Sequence, residues 1–121
     1  MNRWLFVGAV NGFLAVAAGA FAAHALEGRV PAHGLEIFQT GAHYHLTHAL
    51  ATVAAALIPR AGAHARRADL AALLFTVGAV LFSGSLYFLV LANSNALVLA
   101  TPLGGLCLLA GWVALAFAAW K

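Results

Sequence analysis

The sequence predicts an all-α integral membrane protein of four transmembrane helices with both termini in the cytoplasm, and three observations carry that expectation. Hydrophobic residues make up 64% of the 121 residues and charged ones 7%, whereas soluble domains average about 45–50% apolar and about 25% charged residues. Six Lys and Arg with three Asp and Glu cannot coat a water-facing surface. The apolar residues also gather in four runs, each near the roughly 20 residues that cross about 30 Å of hydrocarbon. The cations sit in alternate connections, as they do where short basic loops stay on the cytoplasmic side.

The first span runs from Trp4 to Ala25. Met1-Asn2-Arg3 and the small-residue stretch Ala20-Phe21-Ala22 resemble a secretory leader, but the run exceeds the usual apolar region of about 7–15 residues, so it is read as a span. Ile37 to Ile58 is the second and least pure, carrying Gln39, Thr40, His43, Tyr44, His45, Thr47 and His48. Between them, Pro31 and Gly34 are expected to break the chain, with Leu35-Glu36-Ile37-Phe38 starting the second helix in the interface. Leu70 to Ala92 is the third. Asn93-Ser94-Asn95 reads as a turn, residues 96–100 as a short apolar approach, and Thr101 to Trp120 as the fourth span. Thr101 there is a helix N-cap and Pro102 the first helical residue. Residues 1–121 thus form one membrane domain, with no soluble domain and no repeat between halves.

Arg3, Arg60, Arg66, Arg67 and Lys121 fall on one side of these spans, and only Arg29 on the other. Both termini and the basic loop holding His64 are therefore expected in the cytoplasm, and the loops around His33 and Asn93 outside. Trp4 and Trp120 fit interfacial anchors. Six cations on so apolar a chain exclude a nucleic-acid footprint. The single Cys107 allows no internal disulfide.

Helices in lipid associate through close contact of small residues and a few interhelical hydrogen bonds. Gly8 and Gly12 form a GxxxG pair, continued by Ala15, Gly19 and Ala23, and Gly104, Gly111 and Ala118 recur every seven residues. Together with Gly84 and Gly105 these are read as packing glycines. Asn11 is placed to bond a neighbouring helix or subunit, and so thin a bundle suggests a homo-oligomer.

Polar groups inside a membrane are costly and mark functional candidates. At 1.5 Å per residue, His24 lies within roughly 3 Å of the outer surface, Tyr87 at about 9 Å, Tyr44 and Ser85 at about 12 Å, Ser83 at about 15 Å and His48 at about 18 Å. The cytoplasmic half is nearly pure Ala, Val and Leu apart from Asn11 and Thr76. That asymmetry suggests a pocket open outwards rather than a continuous pore. Tyr44 and His48 share one helix face, as do Ser83 and Tyr87, while Ser83 and Ser85 point about 200° apart.

The run from His43 to His48 invites a metal reading, since imidazole suits zinc, copper and haem iron. Only His45 and His48, at i and i+3, can aim together, and no acid or thiolate is placed to help, so no metal or other cofactor is expected. Enzyme templates fit poorly. Glu27, Glu36 and Asp69 sit at helix ends or in loops, a Ser83–His48 dyad lacks an orienting acid, and Thr101-Pro102-Leu103-Gly104-Gly105 is too short and apolar for a phosphate loop. That helix start still offers N–H donors to an anionic headgroup.

In order along the chain, Gly19-Ala20-Phe21-Ala22-Ala23-His24-Ala25-Leu26, Tyr44 with His48-Ala49-Leu50, Leu81-Phe82-Ser83-Gly84-Ser85-Leu86-Tyr87, Thr101-Pro102-Leu103-Gly104-Gly105 and Gly111-Trp112 resemble the motifs of domain-of-unknown-function family 423. These are bacterial relatives of the eukaryotic transmembrane protein 256. The resemblance covers almost the whole chain and implies a small four-helix protein of the bacterial inner membrane without an established activity. It places His24 and His48 on family motifs, whereas His45 stands where members often carry Gln, and His43 and His64 match none. The expected function is a non-enzymatic accessory protein that binds a lipid or small amphiphile in a pocket of His24, Tyr44, His48, Ser83, Tyr87 and Thr101. Alternatives are a proton or small-solute conduit using His48, and a purely structural scaffold.

Overall fold

The computed structural model describes residues 1–120. Four helices follow one another: α1 (Arg3–Phe21), prolonged by one π-helical turn (Ala22–Leu26), α2 (Ala32–Ala56), α3 (Gly62–Leu91) and α4 (Ala100–Ala119). Each runs antiparallel to its predecessor. α2 lies between α1 and α3, and α4 packs on α3 in the most extensive contact of the bundle.

Local chemistry sets the ends. The Asn2 side chain accepts from the Leu5 N–H at 3.1 Å, capping α1, and donates to the Ala56 carbonyl at 2.9 Å, which ties the start of α1 to the end of α2. In the π turn the Glu27 N–H reaches the Ala22 carbonyl, and Ala22 and Leu26 both turn inward against Phe38. Of the two breakers expected between the first helices, only Pro31 acts as one. It sits at the N-cap of α2, where its missing N–H costs nothing, and Gly34 is helical. α2 therefore starts ahead of Ile37. α3 likewise starts ahead of Leu70, so His64, Arg66 and Arg67 stand on helix rather than in a basic loop. A helix continues past the hydrocarbon edge wherever its residues accept the conformation, and hydropathy alone does not see that. Asn93 turns the chain with φ 49°, a left-handed conformation that Asn tolerates. Residues 96–99 form turns, and α4 begins at Ala100 with Leu99 at its N-cap, so Thr101 stands inside the first turn instead of capping it and spends its hydroxyl on Ser85.

The end of the bundle that carries Arg3 is knitted by polar contacts. Arg60 pairs with Asp69. His64 Nδ1–H donates to the Ala118 carbonyl at 2.9 Å, and Arg67 donates to the Phe117 carbonyl at 3.0 Å. Two side chains of α3 thereby bond carbonyls of the last turn of α4, where helical partners run out, the Phe117 carbonyl also accepting from the Trp120 N–H at 3.3 Å.

The interior is built from small residues. Of the 16 buried hydrophobic residues, 12 are Ala, and the others are Leu26, Phe38, Phe75 and Leu108. Phe6, Phe13, Val16, Leu106, Leu109, Val113 and Phe117 all lie on the outside. Large apolar chains outside and alanines inside are what hydrocarbon as solvent selects, because burial of apolar surface then gains little and close backbone approach gains more. Three helices are long and apolar enough to cross a membrane: Arg3–Leu26, Gly62–Leu91 and Ala100–Ala119. α2 has the length without the hydropathy: His45, His48 and Thr52 are buried against its neighbours, and His33, Glu36, Gln39, Thr40, His43, Tyr44 and Thr47 are exposed.

Glycines mark where the helices touch. A Cβ on Gly8 would stand 2.7 Å from Val53, one on Gly111 2.7 Å from the Phe75 ring, and one on Gly104 2.4 Å from the Phe82 backbone nitrogen. Gly41 and Gly78, which the sequence did not single out, are as tight, against Tyr87 and Leu108. Gly12 and Gly105 have room for a methyl group, and nothing within the chain lies near Gly19 or Gly84.

Candidate functional site

The polar residues of α2 address its three neighbours separately. His45, buried, stands between α1 and α3: its Nε2 is 2.9 Å from Asn11 Oδ1 and its Nδ1 is 3.1 Å from the Tyr87 hydroxyl. The Asn11 oxygen can only accept, so Nε2 carries the proton and Nδ1 accepts from Tyr87. Asn11 in turn donates to the Val7 carbonyl. A neutral relay of Tyr87, His45 and Asn11 thus crosses three helices and ends on backbone.

His48 looks the other way, towards α4. Trp112 Nε1–H donates to its Nε2 at 3.0 Å, and its Nδ1–H donates to the Tyr44 carbonyl at 2.7 Å. An indole donates only, which again fixes a neutral imidazole, here with the proton on Nδ1. Tyr44 stacks beside His48, ring centroids 6.0 Å apart, and lies 4.7 Å from the Phe82 ring. His45 and His48 therefore do not converge on one point, and both nitrogens of each ring are already hydrogen-bonded. Among the described residues no three His, Cys, Asp or Glu side chains come together.

The hydroxyls divide in the same manner. Ser83, fully buried, donates to the Gly41 carbonyl at 2.7 Å, joining α3 to α2. Ser85 meets Thr101 Oγ1 at 2.5 Å on the opposite side, joining α3 to α4. His24 is exposed on the π turn, with α2 between it and α4. The six residues expected to share one pocket are thus spread over separate contacts. Tyr44 and His48 are the two of the six that border a common groove.

That groove lies between α2 and α4 and measures about 870 Å³; it is floored by Phe82 and bordered by His43, Tyr44, Thr47 and His48 on one side and Pro102, Gly105, Leu106, Leu109 and Trp112 on the other. A second hollow of about 790 Å³ shares His43, Tyr44 and Phe82 with it and continues to His33, Glu36, Gln39 and Thr40. The two make one cleft that is polar towards the start of α2 and apolar towards the middle of α4. Trp112 is the site residue that sequence reasoning missed. Its signal was a Trp in mid-span rather than at an interface, where its N–H needs a buried acceptor.

Residues 18–105 match the family model described as "Protein of unknown function (DUF423)". The chain belongs to the DUF423 family. It is 39% identical over 121 residues to the UPF0382 membrane protein YwdK of Bacillus subtilis, covering 100% of this chain and 98% of that one. A UPF0382 membrane protein of Haemophilus influenzae is 40% identical over 120 residues, covering 99% and 95%. The UPF0382 inner membrane protein YgdD of Escherichia coli is 38% identical over 112 residues, covering 89% and 82%. No solved structure matches. This DUF423 member is a multi-pass protein of the bacterial inner membrane, as its resemblance implied, and its groove lies between helices of that membrane domain.

Proposed function

We propose that this protein is a non-enzymatic accessory component whose cleft between α2 and α4 holds a lipid or small amphiphile, in a single domain of four spans with both termini cytoplasmic. The observation that carries the reading is the gradient along the cleft. His33, Glu36, Gln39 and Thr40 line one end and Leu106, Leu109 and Trp112 the other, which suits a molecule with a polar head and an apolar tail. The inclusion of α2 as a span is supported by its 25 residues, about 37 Å of helix, and by the burial of His45, His48 and Thr52 away from lipid. A conduit using His48 gains no support from the geometry, because both ring nitrogens are engaged inside the bundle.

The test is analysis of lipids and small molecules carried by the purified protein in native nanodiscs, by native mass spectrometry, repeated on Tyr44→Phe and His48→Ala. A bound amphiphile in the parent that is reduced in the variants is expected. Equal retention in all three overturns the reading. A reporter fused after Lys121 and found outside the cytoplasm overturns the topology.

A further inference from the structure

Resting on that reading, we infer that the amphiphile has an uncharged, planar ring head bearing carbonyl acceptors, of the kind found in lipid quinones, and that the head lies against Tyr44, Phe82 and Trp112. Three features of the groove point to it.

The first is charge. None of the residues bordering the α2–α4 groove is Asp, Glu, Lys or Arg, and the one charged residue on the adjoining hollow is Glu36. A phosphate head needs cationic or multiple N–H partners. Here it would meet a carboxylate at the mouth and no cation below. A neutral head incurs neither cost.

The second is shape. The Tyr44 and Phe82 rings lie 4.7 Å apart and tilted by 37°, Trp112 packs edge-on to Phe75 at 5.0 Å, and Gly105 borders the groove beside Phe82 without a side chain, where a Cβ would stand 4.0 Å from that ring. Flat aromatic walls with a missing side chain favour a flat guest, since ring faces and edges attract one another. The volume of about 870 Å³ falls within the range of about 300–1,000 Å³ typical of small-molecule sites.

The third is the supply of donors. The His48 and Trp112 nitrogens bond each other and Thr47 donates to the His43 carbonyl. The Tyr44 hydroxyl and the His43 ring, both at exposed positions on the groove, are committed to no internal hydrogen bond among the described residues. Two free donors at the waist of the cleft suit two ring carbonyls. The chain carries no electron donor at this place, so the inference is of binding alone.

Trp112 lines the site and supplies the readout, because quinones quench indole fluorescence at short range. The full chain in nanodiscs is titrated with a decyl-chain benzoquinone, and in parallel with a phospholipid brominated on its acyl chains. The Trp112 signal is taken as the difference from Trp112→Phe. Saturable quenching by the quinone is expected, weakened about tenfold or more in Gly105→Leu, whose added side chain enters the groove from an uncrowded position, and reduced in Tyr44→Phe. Should Gly105→Leu fail to fold, competition by a non-quenching dihydroxybenzene of the same tail length replaces it, with displacement expected. Saturable quenching by the brominated lipid alone overturns the ring head and leaves the amphiphile reading standing. Quenching that rises linearly with either probe and ignores both variants and competitor overturns both.

Discussion

Gly104→Ala and Gly84→Ala are the same chemical change, both in mid-helix, and the structure expects opposite results. At Gly104 the added Cβ would stand 2.4 Å from the backbone nitrogen of Phe82 and 2.9 Å from both the Phe82 Cα and the Gly78 carbonyl oxygen. All three are backbone atoms of α3, so no rotamer change relieves the contact. Restoring ordinary separation needs α3 and α4 to part by about 1 Å, and a gap of 0.5–1 Å already forfeits a quarter to a half of each dispersion contact along the seam. Overpacking of this kind costs about 1–3 kcal/mol, against a conformational gain of about 0.5–1 kcal/mol for replacing Gly by Ala in a helix. The net expectation is a loss of about 1 kcal/mol. At Gly84 no atom outside its own helix lies within 4 Å, so only the gain survives. The gain is common to both, so the two variants should differ by the overpacking cost of about 1–3 kcal/mol in reversible unfolding in mixed micelles, followed by helical circular dichroism. Values within about 0.5 kcal/mol of each other, the usual scatter of neutral surface changes, would refute the crossing of α3 and α4 at this glycine.

Three further outcomes follow from the same contacts. Tyr87→Phe and Asn11→Ala each leave one nitrogen of His45 without a partner, so each should cost about 0.6–1.7 kcal/mol, from the mean to the maximum found for hydrogen bonds between membrane helices. Because both act through one ring, a double-mutant cycle in mixed micelles should show coupling, and strict additivity counts against the relay. Arg67→Ala and His64→Ala should remove the side-chain donors from the Phe117 and Ala118 carbonyls, fraying the end of α4 and speeding amide exchange over its last turn while leaving its first turn unchanged. Uniform exchange along α4 in both variants would remove the cap. Trp112→Phe should shift the imidazole resonances of His48 and leave those of His45 in place, since the two rings belong to separate networks; parallel shifts would show that they do not.

What the sequence disclosed and what it hid divide along one physical line. Anything governed by position along a helix was legible. The i, i+4 pairing of Tyr44 with His48 appears as a stack, and the angle of about 200° between Ser83 and Ser85 appears as one hydroxyl on α2 and the other on α4. Turn chemistry at Asn93 was legible for the same reason, being local. Whatever depends on which helix stands opposite was not. His45 and His48 are three residues apart and invite a shared ligand, yet α2 is packed on several sides, so the offset of about 60° between them around the helix is enough to send one ring to α1 and α3 and the other to α4. Glycine spacing misled in the same way. Gly19 continues a regular pattern and touches nothing, whereas Gly41 and Gly78 follow none and sit at crossings. The polarity of α2 therefore has a structural origin before any functional one. As the helix shared by both neighbours it buries the bonds of His45, His48 and Thr52, and it leaves outward the polar edge that runs from His33, Glu36, Gln39 and Thr40 to His43, Tyr44 and Thr47. That remaining edge is the one part of its polarity that the bundle itself does not consume, and this is why the cleft, rather than the buried histidines, is where a ligand is to be sought.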